Sequence, residues 1–264
     1  MNFGIRHKTL DFFSLTPNTL LTPEPRLIET LATARAVTVL TGAGVSAKSG
    51  IPTFRDALTG LWAKFDPAAL ATSEAFHRDP ELVSRWYDQR RRRTLECQPN
   101  DAHLALARWQ KRLAECGRQM TLITQNVDRL HQRAGSKAVI ELHGTLLVWR
   151  CTGCQTERLE EGDPFNEYPP ACQGCGRPRR PAVVWFGEAL APEAMAAAEA
   201  AIGECDLFVS VGTSAVVQPA TGLIELAIRR GAATLEINLD PTPISNRVDF
   251  ALYGCAGKIL PQLV

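Results

Sequence analysis

The chain has 264 residues, and its 29 basic and 28 acidic side chains nearly cancel. This balance gives no overall positive field, so it argues against nucleic acid or an anionic membrane surface as the main partner. No apolar run approaches the roughly 20 residues that a membrane span needs, and residues 1–25 lack the apolar core of a secretory signal. We therefore expect a cytoplasmic protein.

The first half of the sequence alternates between helix and strand patterns. Residues 1–25 are proline-containing and read as a loosely attached arm, to which we assign no chemistry. The β-branched run Val37–Leu40 is typical of a buried strand. The remaining patterns predict a helix over Leu27–Ala34, two helices over Ser73–Glu96 broken at Asp79-Pro80, a helix over Asp101–Cys116, and strands over Met120–Thr124 and Ala138–Leu142.

A polar, loop-rich insert over Cys151–Cys175 interrupts this alternation, which then resumes. The later patterns predict an extended segment over Ala182–Phe186, a helix over Ala191–Ile202, a strand over Leu207–Val211, a helix over Ala220–Arg230, a strand over Ala233–Asn238 and a last helix near Lys258. Strands that alternate with helices imply a mostly parallel sheet covered on both faces. The sequence therefore predicts an α/β fold.

A glycine loop follows the first predicted strand at once. Gly42-Ala43-Gly44 would let the backbone turn tightly and approach a pyrophosphate, and Ala47 supplies a third small position. Ser46–Gly50 would open a helix whose N-terminus attracts anions. The acidic ribose-binding residue usual about 20 residues later is missing, so a nucleotide would be held in a non-standard way. Taken alone, the loop could equally be an ordinary glycine-rich turn.

Polar groups follow five predicted strands at the point where each strand ends. They are Gly42-Ala43-Gly44, Gln125-Asn126-Val127-Asp128, His143-Gly144, Gly212-Thr213-Ser214 and Asn238-Leu239-Asp240. Because open parallel sheets bind ligands outside the carboxyl ends of their strands, these groups would converge on one crevice. Any one of them could be a polar loop, but five together favour a binding site.

Four of the eight cysteines form two Cys-x-x-Cys pairs, Cys151/Cys154 and Cys172/Cys175, which 17 residues separate. Four thiolates at this spacing are typical of tetrahedral zinc, and because protein would fill all four positions the ion should be structural. A redox role for one pair is the alternative, although two matched pairs in one insert are hard to explain that way. The other four cysteines are scattered, which suits a reduced compartment.

Together these motifs resemble the sirtuins, which are NAD-dependent protein lysine deacylases. The likeness runs from about Leu27 to the C-terminus and rests on Gly42–Arg55, Thr124–Asp128, His143-Gly144, the paired cysteines, Val183–Glu188, Gly212–Ser214 and Asn238–Asp240. It implies a Rossmann-like parallel sheet domain with a small zinc-binding and helical domain inserted. The implied boundaries are an arm over 1–25 and a catalytic domain over 26–264, with Rossmann-like parts about 26–60, 98–148 and 181–264, a helical module about 61–97 and a zinc module about 149–180.

The resemblance also implies NAD as a co-substrate and one structural zinc ion. In the sirtuin pattern, Phe54 and Arg55 lie beside the reacting ribose, while Asn126 and Asp128 hold the nicotinamide amide. The full set that the resemblance assigns to NAD is Gly42, Ala43, Gly44, Ser46, Phe54, Arg55, Gln125, Asn126, Asp128, Gly212, Thr213, Ser214, Asn238, Leu239, Asp240 and the backbone of Ala256.

In the reaction that the resemblance implies, the acyl-lysine oxygen attacks the ribose as nicotinamide leaves, and a histidine acts as base on the ribose hydroxyls. An imidazole suits this task because its pKa lies near the working pH. We assign the base to His143 and expect structural roles for His103 and His131. Acylated lysine-containing proteins would bind by β-augmentation along a strand that supplies Val183, Val184, Phe186, Gly187 and Glu188.

Tyr87 and Arg90 lie three residues apart on a predicted helix, so they share a face. Sirtuins that remove acidic acyl groups carry this Tyr-x-x-Arg pair, and Ala71 matches the small residue that widens their pocket. A guanidinium and a phenol can hold the carboxylate of succinyl- or malonyl-lysine. The alternative is a solvated basic face with Tyr87 as packing, and we accept that interpretation for Arg91–Arg93.

The sequence therefore predicts an NAD-dependent protein lysine deacylase with deacetylase and desuccinylase or demalonylase activity. Its products would be nicotinamide, O-acyl-ADP-ribose and free lysine. A mono-ADP-ribosyltransferase that uses the same NAD site is one alternative, which His143 and the Tyr87/Arg90 pair disfavour. A non-catalytic NAD-sensing module is the other, and it is disfavoured because Asn126 and Asp128 are intact.

Overall fold

The structure is a computed structural model that describes residues 23–52, 66, 70–216, 218 and 220–264. Nearly all of the predicted arm lies outside the described residues. So do Phe54 and Arg55, together with most of the first part of the predicted helical module. Among the described helices, none combines the length and the apolar character that crossing a bilayer requires.

The described residues form helices and strands that alternate along most of the chain. In chain order they are α1 (Pro25–Thr33), β1 (Ala36–Thr41), α2 (Ser73–Arg78), α3 (Pro80–Glu96), α4 (Asp101–Glu115), β2 (Gln119–Thr124), α5 (Leu130–Arg133), β3 (Ile140–Glu141), β4 (Gly144–Cys151), β5 (Glu157–Leu159), β6 (Arg179–Val183), α6 (Pro192–Glu204), β7 (Leu207–Val211), α7 (Ala220–Arg230), β8 (Ala233–Asn238), β9 (Phe250–Tyr253) and α8 (Ala256–Leu263). The predicted α/β alternation is confirmed.

Six strands form one parallel sheet in the order β3-β2-β1-β7-β8-β9. Successive residues of the central strand β1 point to opposite faces, and both faces are buried. Val39 packs with α1, α4 and α8 on one face, whereas Leu40 packs with α6 and α7 on the other. A parallel sheet covered by helices on both faces is the Rossmann-like arrangement that the sequence predicted.

A second, antiparallel sheet has the order β5-β4-β6 and carries the paired cysteines at its end. It packs against α2 and α3 through a cluster of large apolar side chains that includes Trp86, Trp149 and Val183. The Rossmann-like sheet with a smaller inserted zinc-binding and helical part is therefore confirmed as the fold class. The numerical domain boundaries remain predictions.

A buried ion pair fixes α3 to the loop that follows β5. The side chains of Asp88 and Arg91 are both fully buried, with 2.7 Å between Arg91 Nη2 and Asp88 Oδ1. Arg91 also donates to three backbone carbonyls between residues 160 and 163, and the Tyr168 hydroxyl donates to Asp88 at 2.6 Å. The solvated face predicted for Arg91–Arg93 is therefore wrong at Arg91, because this guanidinium is fully buried and needs Asp88 and the loop carbonyls as partners for its N–H groups.

The helix predicted to open at Ser46–Gly50 is also wrong. Two 3-10 turns of three residues each, Ala43–Val45 and Ala47–Ser49, follow β1. Gly50 ends the second turn in the left-handed conformation, with φ of 84°, which stops helical hydrogen bonding. Any anion near this loop would therefore meet individual backbone amides rather than the end of an α-helix.

Three strands were missed and one was predicted too long. Strand β4 lies just before the predicted loop-rich insert and β5 lies within it, while β9 has only four residues, too few to show a clear pattern. Strand β3 spans Ile140–Glu141 instead of Ala138–Leu142, because Ala138 has a left-handed backbone with φ of 48° that interrupts extended structure.

The loops that follow β1 and β7 touch through their glycines. The Gly44 amide donates to the Gly212 carbonyl at 2.8 Å. A Cβ atom on Gly212 would lie 2.5 Å from the Val45 nitrogen, and Gly212 has a φ of +61°. Both the backbone conformation and the close approach therefore require glycine at this position.

We predict that Gly212→Ala lowers the free energy of unfolding more than Gly231→Ala does. Both glycines have positive φ, so both variants carry the left-handed cost of about 1–2 kcal/mol. Only Gly212 would also push a methyl group into backbone, which adds about 1–3 kcal/mol, whereas a Cβ on Gly231 meets nothing within 4 Å. Urea unfolding of both variants measures the difference. Equal destabilisation would show that the loop contact is unimportant.

Candidate functional site

The order of the parallel sheet reverses between β1 and β7, and open α/β sheets bind ligands in the crevice at such a point. Three glycines, Gly42, Gly44 and Gly212, lie at this crevice. The backbones of the two loops are so close there that a Cβ atom would not fit between them. Ala43 begins the first 3-10 turn beside them. The bare backbone offers amide groups that a phosphate could approach closely.

Ser46 joins the glycine loop to the polar end of β2. Its hydroxyl donates to Asp128 Oδ2 at 2.7 Å and accepts from Asn126 Nδ2 at 3.0 Å. Asp128 Oδ1 accepts the Leu130 amide, and all three predicted site residues are buried. Burial raises the pKa of the Asp128 carboxyl, while the bonds from Leu130 and Ser46 oppose this rise. The structure thus brings Ser46, Asn126 and Asp128 into one rigid cluster.

Two histidines beside this cluster have structural contacts. His103 Nδ1 accepts the Asn100 amide as part of a capping box for α4, and its Nε2 lies 3.3 Å from Ser46 Oγ. His131 Nε2 lies 3.0 Å from Thr41 Oγ1. Burial lowers the pKa of His103 to about 4 and lowers that of His131 well below its usual value. Both rings are neutral and packed, consistent with the structural roles that we expected.

Side chains at the ends of β2, β7 and β8 bond to one another across the crevice. Gln125 Nε2 donates to Thr213 Oγ1 at 3.0 Å, and Asn238 Nδ2 donates to the Thr213 carbonyl at 2.9 Å. The structure therefore brings together most of the positions assigned to the nucleotide. The remaining described ones are the half-buried Ser214, the exposed Leu239 and Asp240, and Ala256, which begins α8, while Phe54 and Arg55 lie outside the described residues.

His143 lies between β3 and β4, with one ring nitrogen fixed by the backbone. Its Nδ1 lies 2.9 Å from the Gln125 carbonyl, which can only accept a hydrogen bond. The proton of the neutral ring must therefore sit on Nδ1, which leaves Nε2 as an acceptor. Burial lowers the pKa of His143, and the bond to Gln125 partly opposes this. A neutral imidazole with an unprotonated Nε2 is the form that a general base requires.

Tyr87 and Arg90 share a face of α3, as predicted. Tyr87 is buried, and burial raises its pKa to about 12 while the nearby Arg90 opposes the rise, so the phenol is neutral. The half-buried Arg90 stacks on Trp86, with its guanidinium carbon 4.7 Å from the ring centroid. Among the residues that the structure describes, no carboxylate forms an ion pair with Arg90. The buried Ala71 lies nearby, hydrogen-bonded to Phe186 through its carbonyl.

The segment Val183–Glu188 runs between β4 and the start of α2. Val184 donates to the His143 carbonyl and Phe186 donates to the Ala71 carbonyl, so the segment contacts both of these predicted site residues. Glu188 accepts the Trp185 amide and pairs through both carboxylate oxygens with Arg180. Arg180 and Trp185 were not selected in the sequence analysis. The opposite charges of Arg180 and Glu188, eight residues apart with Gly187 between them, were a sequence signal for the loop that this ion pair closes.

The four paired cysteines form a compact cluster. Their sulfur atoms all lie within 4.8 Å of one another, with 3.4 Å between those of Cys151 and Cys175 and 3.7 Å between those of Cys154 and Cys172. Tetrahedral zinc with Zn–S bonds of about 2.3 Å needs sulfur atoms about 3.8 Å apart. The amides of Gly153 and Cys154 point at Cys151 Sγ, as they would at a thiolate. The residues therefore fit a structural zinc ion.

These features define a nucleotide-binding α/β protein with an inserted four-cysteine metal centre. Residues 42–219 match the model of the Sir2 family, and the chain belongs to this family. The resemblance to sirtuins seen in the sequence is thus confirmed.

The chain is similar to several members of the family. It is 49% identical over 245 residues to NAD-dependent protein deacylase 1 of Pseudomonas aeruginosa, covering 90% of this chain and 96% of that protein. It resembles a crystal structure of a Sir2 homologue–NAD complex with a TM-score of 0.85 and 44% identity, covering 93% and 94% of the two chains. A Sir2 variant with a deacetylated p53 peptide and 3′-O-acetyl-ADP-ribose matches with a TM-score of 0.79 and 32% identity, covering 90% and 96%.

We predict that the purified protein contains one zinc ion per chain and that Cys151→Ser loses it. Removing one of four thiolates leaves an incomplete coordination shell, so the melting temperature should fall as well. Metal analysis and thermal unfolding measure the two effects. Cys116→Ser, which changes an exposed cysteine outside the cluster, is the control and should retain zinc. Full zinc content in Cys151→Ser would contradict the assignment.

Proposed function

We propose that this chain is an NAD-dependent protein lysine deacylase, which transfers the acyl group of a modified lysine to ADP-ribose and releases nicotinamide. The observation that carries this is the neutral His143, whose tautomer leaves Nε2 as an acceptor, next to a crevice built of glycine loops. Membership of the Sir2 family and the names of its relatives support the same activity.

The crevice residues fit a dinucleotide on chemical grounds. Gly42, Gly44 and Gly212 let the two loops meet with bare backbone, because a Cβ on any of them would lie within 2.8 Å of the facing loop, and bare backbone offers amides to a phosphate. When bound, NAD supplies a ribose whose bond to nicotinamide breaks readily. The residues that would hold NAD are the separate positions assigned to it in the sequence analysis, of which Gly42 is the first and Ala256 the last.

The cluster around Ser46 would orient the nicotinamide amide. An amide needs both an acceptor for its N–H groups and a donor for its carbonyl, and Asp128 and Asn126 provide these two functions. Ser46 holds both side chains through its hydroxyl, so neither has to be ordered when the ligand binds. Such preorganisation reduces the entropic cost of orienting the ring.

His143 would act as the general base at Nε2. The Gln125 carbonyl keeps the Nδ1 proton in place, so the proton that Nε2 accepts from a ribose hydroxyl makes the ring cationic. The hydrogen bond to the carbonyl stabilises that cation, and burial opposes it. The balance keeps the ring unprotonated before the reaction and able to receive a proton during it.

We further propose that acidic acyl groups are preferred substrates alongside acetyl groups. Arg90 is half-buried without a carboxylate partner in the described part of the chain, and the neutral Tyr87 hydroxyl lies beside it. A succinyl or malonyl carboxylate would supply the missing anion. The neighbouring Arg91 differs because Asp88 already neutralises it.

Acylated lysine-containing proteins are the substrates in this proposal, and Val183–Glu188 is the segment that would receive them. The amides of Val184, Trp185 and Phe186 already donate within the chain, so main-chain recognition would rely mainly on carbonyl groups of the segment. A cytoplasmic location is part of the same proposal, since all eight cysteines are free thiols and thiolate zinc sites persist where thiols stay reduced.

We predict that kcat/KM for an acetylated peptide rises with pH through a midpoint below 6.5 and is level above it. The pKa of His143 is lowered, so the base stays unprotonated to a lower pH than an exposed histidine would. His143→Tyr should remove deacylation while keeping the fold. His77→Tyr, at an exposed position on α2, is the control and should keep the wild-type profile. A midpoint above 7, or an active His143→Tyr, would place the base elsewhere.

We predict that Arg90→Met lowers kcat/KM for succinyl-lysine about 10- to 150-fold, the range expected from losing one charged hydrogen bond of about 1.5–3 kcal/mol. Turnover of acetyl-lysine, which has no carboxylate, should change little. Assays with one peptide carrying each acyl group, together with recorded nicotinamide release and product masses, measure this. Arg93→Met, on the exposed part of the same helix, is the control.

Equal losses for both acyl groups would contradict carboxylate recognition by Arg90. Nicotinamide release without deacylation of any peptide would instead indicate ADP-ribosyl transfer or NAD hydrolysis.

A further inference from the structure

The indole of Trp185 holds a buried hydrogen-bond donor that lacks a partner. The residue is only 2% exposed, and its Nε1 has no hydrogen-bond partner among the described residues. Buried donors in folded proteins are nearly always satisfied, so one without a partner calls for an explanation. A ligand that accepts this N–H when it binds would provide one.

Trp185 lies next to Tyr87 and Arg90, the pair that we propose binds the acyl carboxylate. Its ring centroid is 6.2 Å from that of Tyr87 and 5.4 Å from that of Phe76. The indole N–H faces the Tyr87 hydroxyl without completing a hydrogen bond of normal geometry, and after Arg90 it opposes the burial that raises the pKa of the phenol. The indole N–H and the Arg90 guanidinium therefore both lie near the Tyr87 hydroxyl, which makes three donors in this part of the structure.

Arg180 makes the indole a better donor for an anion. Its guanidinium carbon lies 3.2 Å from the centroid of the Trp185 ring, and Glu188 holds the guanidinium through both carboxylate oxygens. A cation on the ring face draws π electrons toward itself, which leaves the N–H more positive. The Trp185 amide also donates to Glu188, so both ends of the residue are fixed in position.

We propose that Trp185 is a third specificity-determining residue for acidic acyl groups, with Nε1–H donating to the carboxylate that Tyr87 and Arg90 also bind. This inference rests on the acyl preference proposed above. A carboxylate offers about four acceptor sites, enough for a guanidinium, a phenol and an indole together. An acetyl group offers no acceptor at this distance, so it leaves the indole unsatisfied.

Trp149 provides a matched control because it belongs to the same apolar cluster and has the same indole chemistry but a different ring neighbour. Its Nε1 is likewise buried without a partner among the described residues, but its ring packs against Phe165 at 4.7 Å. A general effect of losing a buried indole would appear in Trp149→Phe. A loss of binding to the acyl carboxylate should appear only in Trp185→Phe.

The first test is kcat/KM for succinyl- and acetyl-lysine in the same peptide. Trp185→Phe keeps an aromatic ring and removes the donor, so we expect about a tenfold loss for the succinyl peptide, mainly through KM, and less than a twofold change for the acetyl peptide. Tenfold corresponds to about 1.4 kcal/mol. Trp149→Phe should change both peptides to the same extent. Equal effects of Trp185→Phe on both peptides, or no effect, would overturn the proposal.

A second measurement does not depend on turnover. In the full-length protein labelled with ¹⁵N-tryptophan, the indole resonance that disappears in Trp185→Phe should shift to higher proton frequency with the succinyl peptide and stay in place with the acetyl peptide. A resonance that does not move while the succinyl peptide binds would overturn the inference. A protein that binds the succinyl peptide and shifts this resonance without deacylating any peptide would overturn the proposed activity and keep the binding role of Trp185.

Discussion

The contact between the loops after β1 and β7 is the constraint on which the binding crevice depends. The Gly44 amide bonds the Gly212 carbonyl, and the Gly42 amide bonds the Val211 carbonyl. A side chain on Gly42 or Gly44 would lie within 2.8 Å of the Gly212 carbonyl oxygen, so the two loops could not approach as they do. Because they do approach, Ser46 comes within hydrogen-bond distance of the polar end of β2, and the crevice has a bare backbone surface where phosphates can bind.

Burial and hydrogen bonding together assign different roles to chemically identical histidines. His103 and His131 are neutral because burial lowers the pKa of each, and their contacts are with helix caps and strand hydroxyls. His143 is only partly buried, and its Nδ1–H is bonded to a backbone carbonyl, which leaves Nε2 with its lone pair. The difference in chemistry among the three histidines therefore comes from the hydrogen-bond partner of each ring nitrogen.

Helix α3 connects the Tyr87/Arg90 pair to the zinc-binding part of the fold. Tyr87 and Arg90 occupy one face, next to Trp185, whereas Asp88 and Arg91 occupy another and bond to the loop between β5 and β6. Removing one partner of a fully buried ion pair typically costs about 3–5 kcal/mol, so the position of the helix is firmly set. The Tyr87/Arg90 pair and the four-cysteine module consequently share one rigid element.

The sequence by itself determined the features whose residues lie close together and obey a short spacing: the β1 strand with its glycine loop, the two Cys-x-x-Cys pairs, and the Tyr87/Arg90 pair. Only the tertiary structure decided that Arg91 is buried while Arg93 is exposed, that Gln125 sets the tautomer of His143, and that the Trp185 N–H has no partner among the described residues. Neighbouring positions on a helix differ only in direction, and what lies in each direction is supplied by segments far away in the chain. A local sequence pattern therefore does not predict those distant contacts.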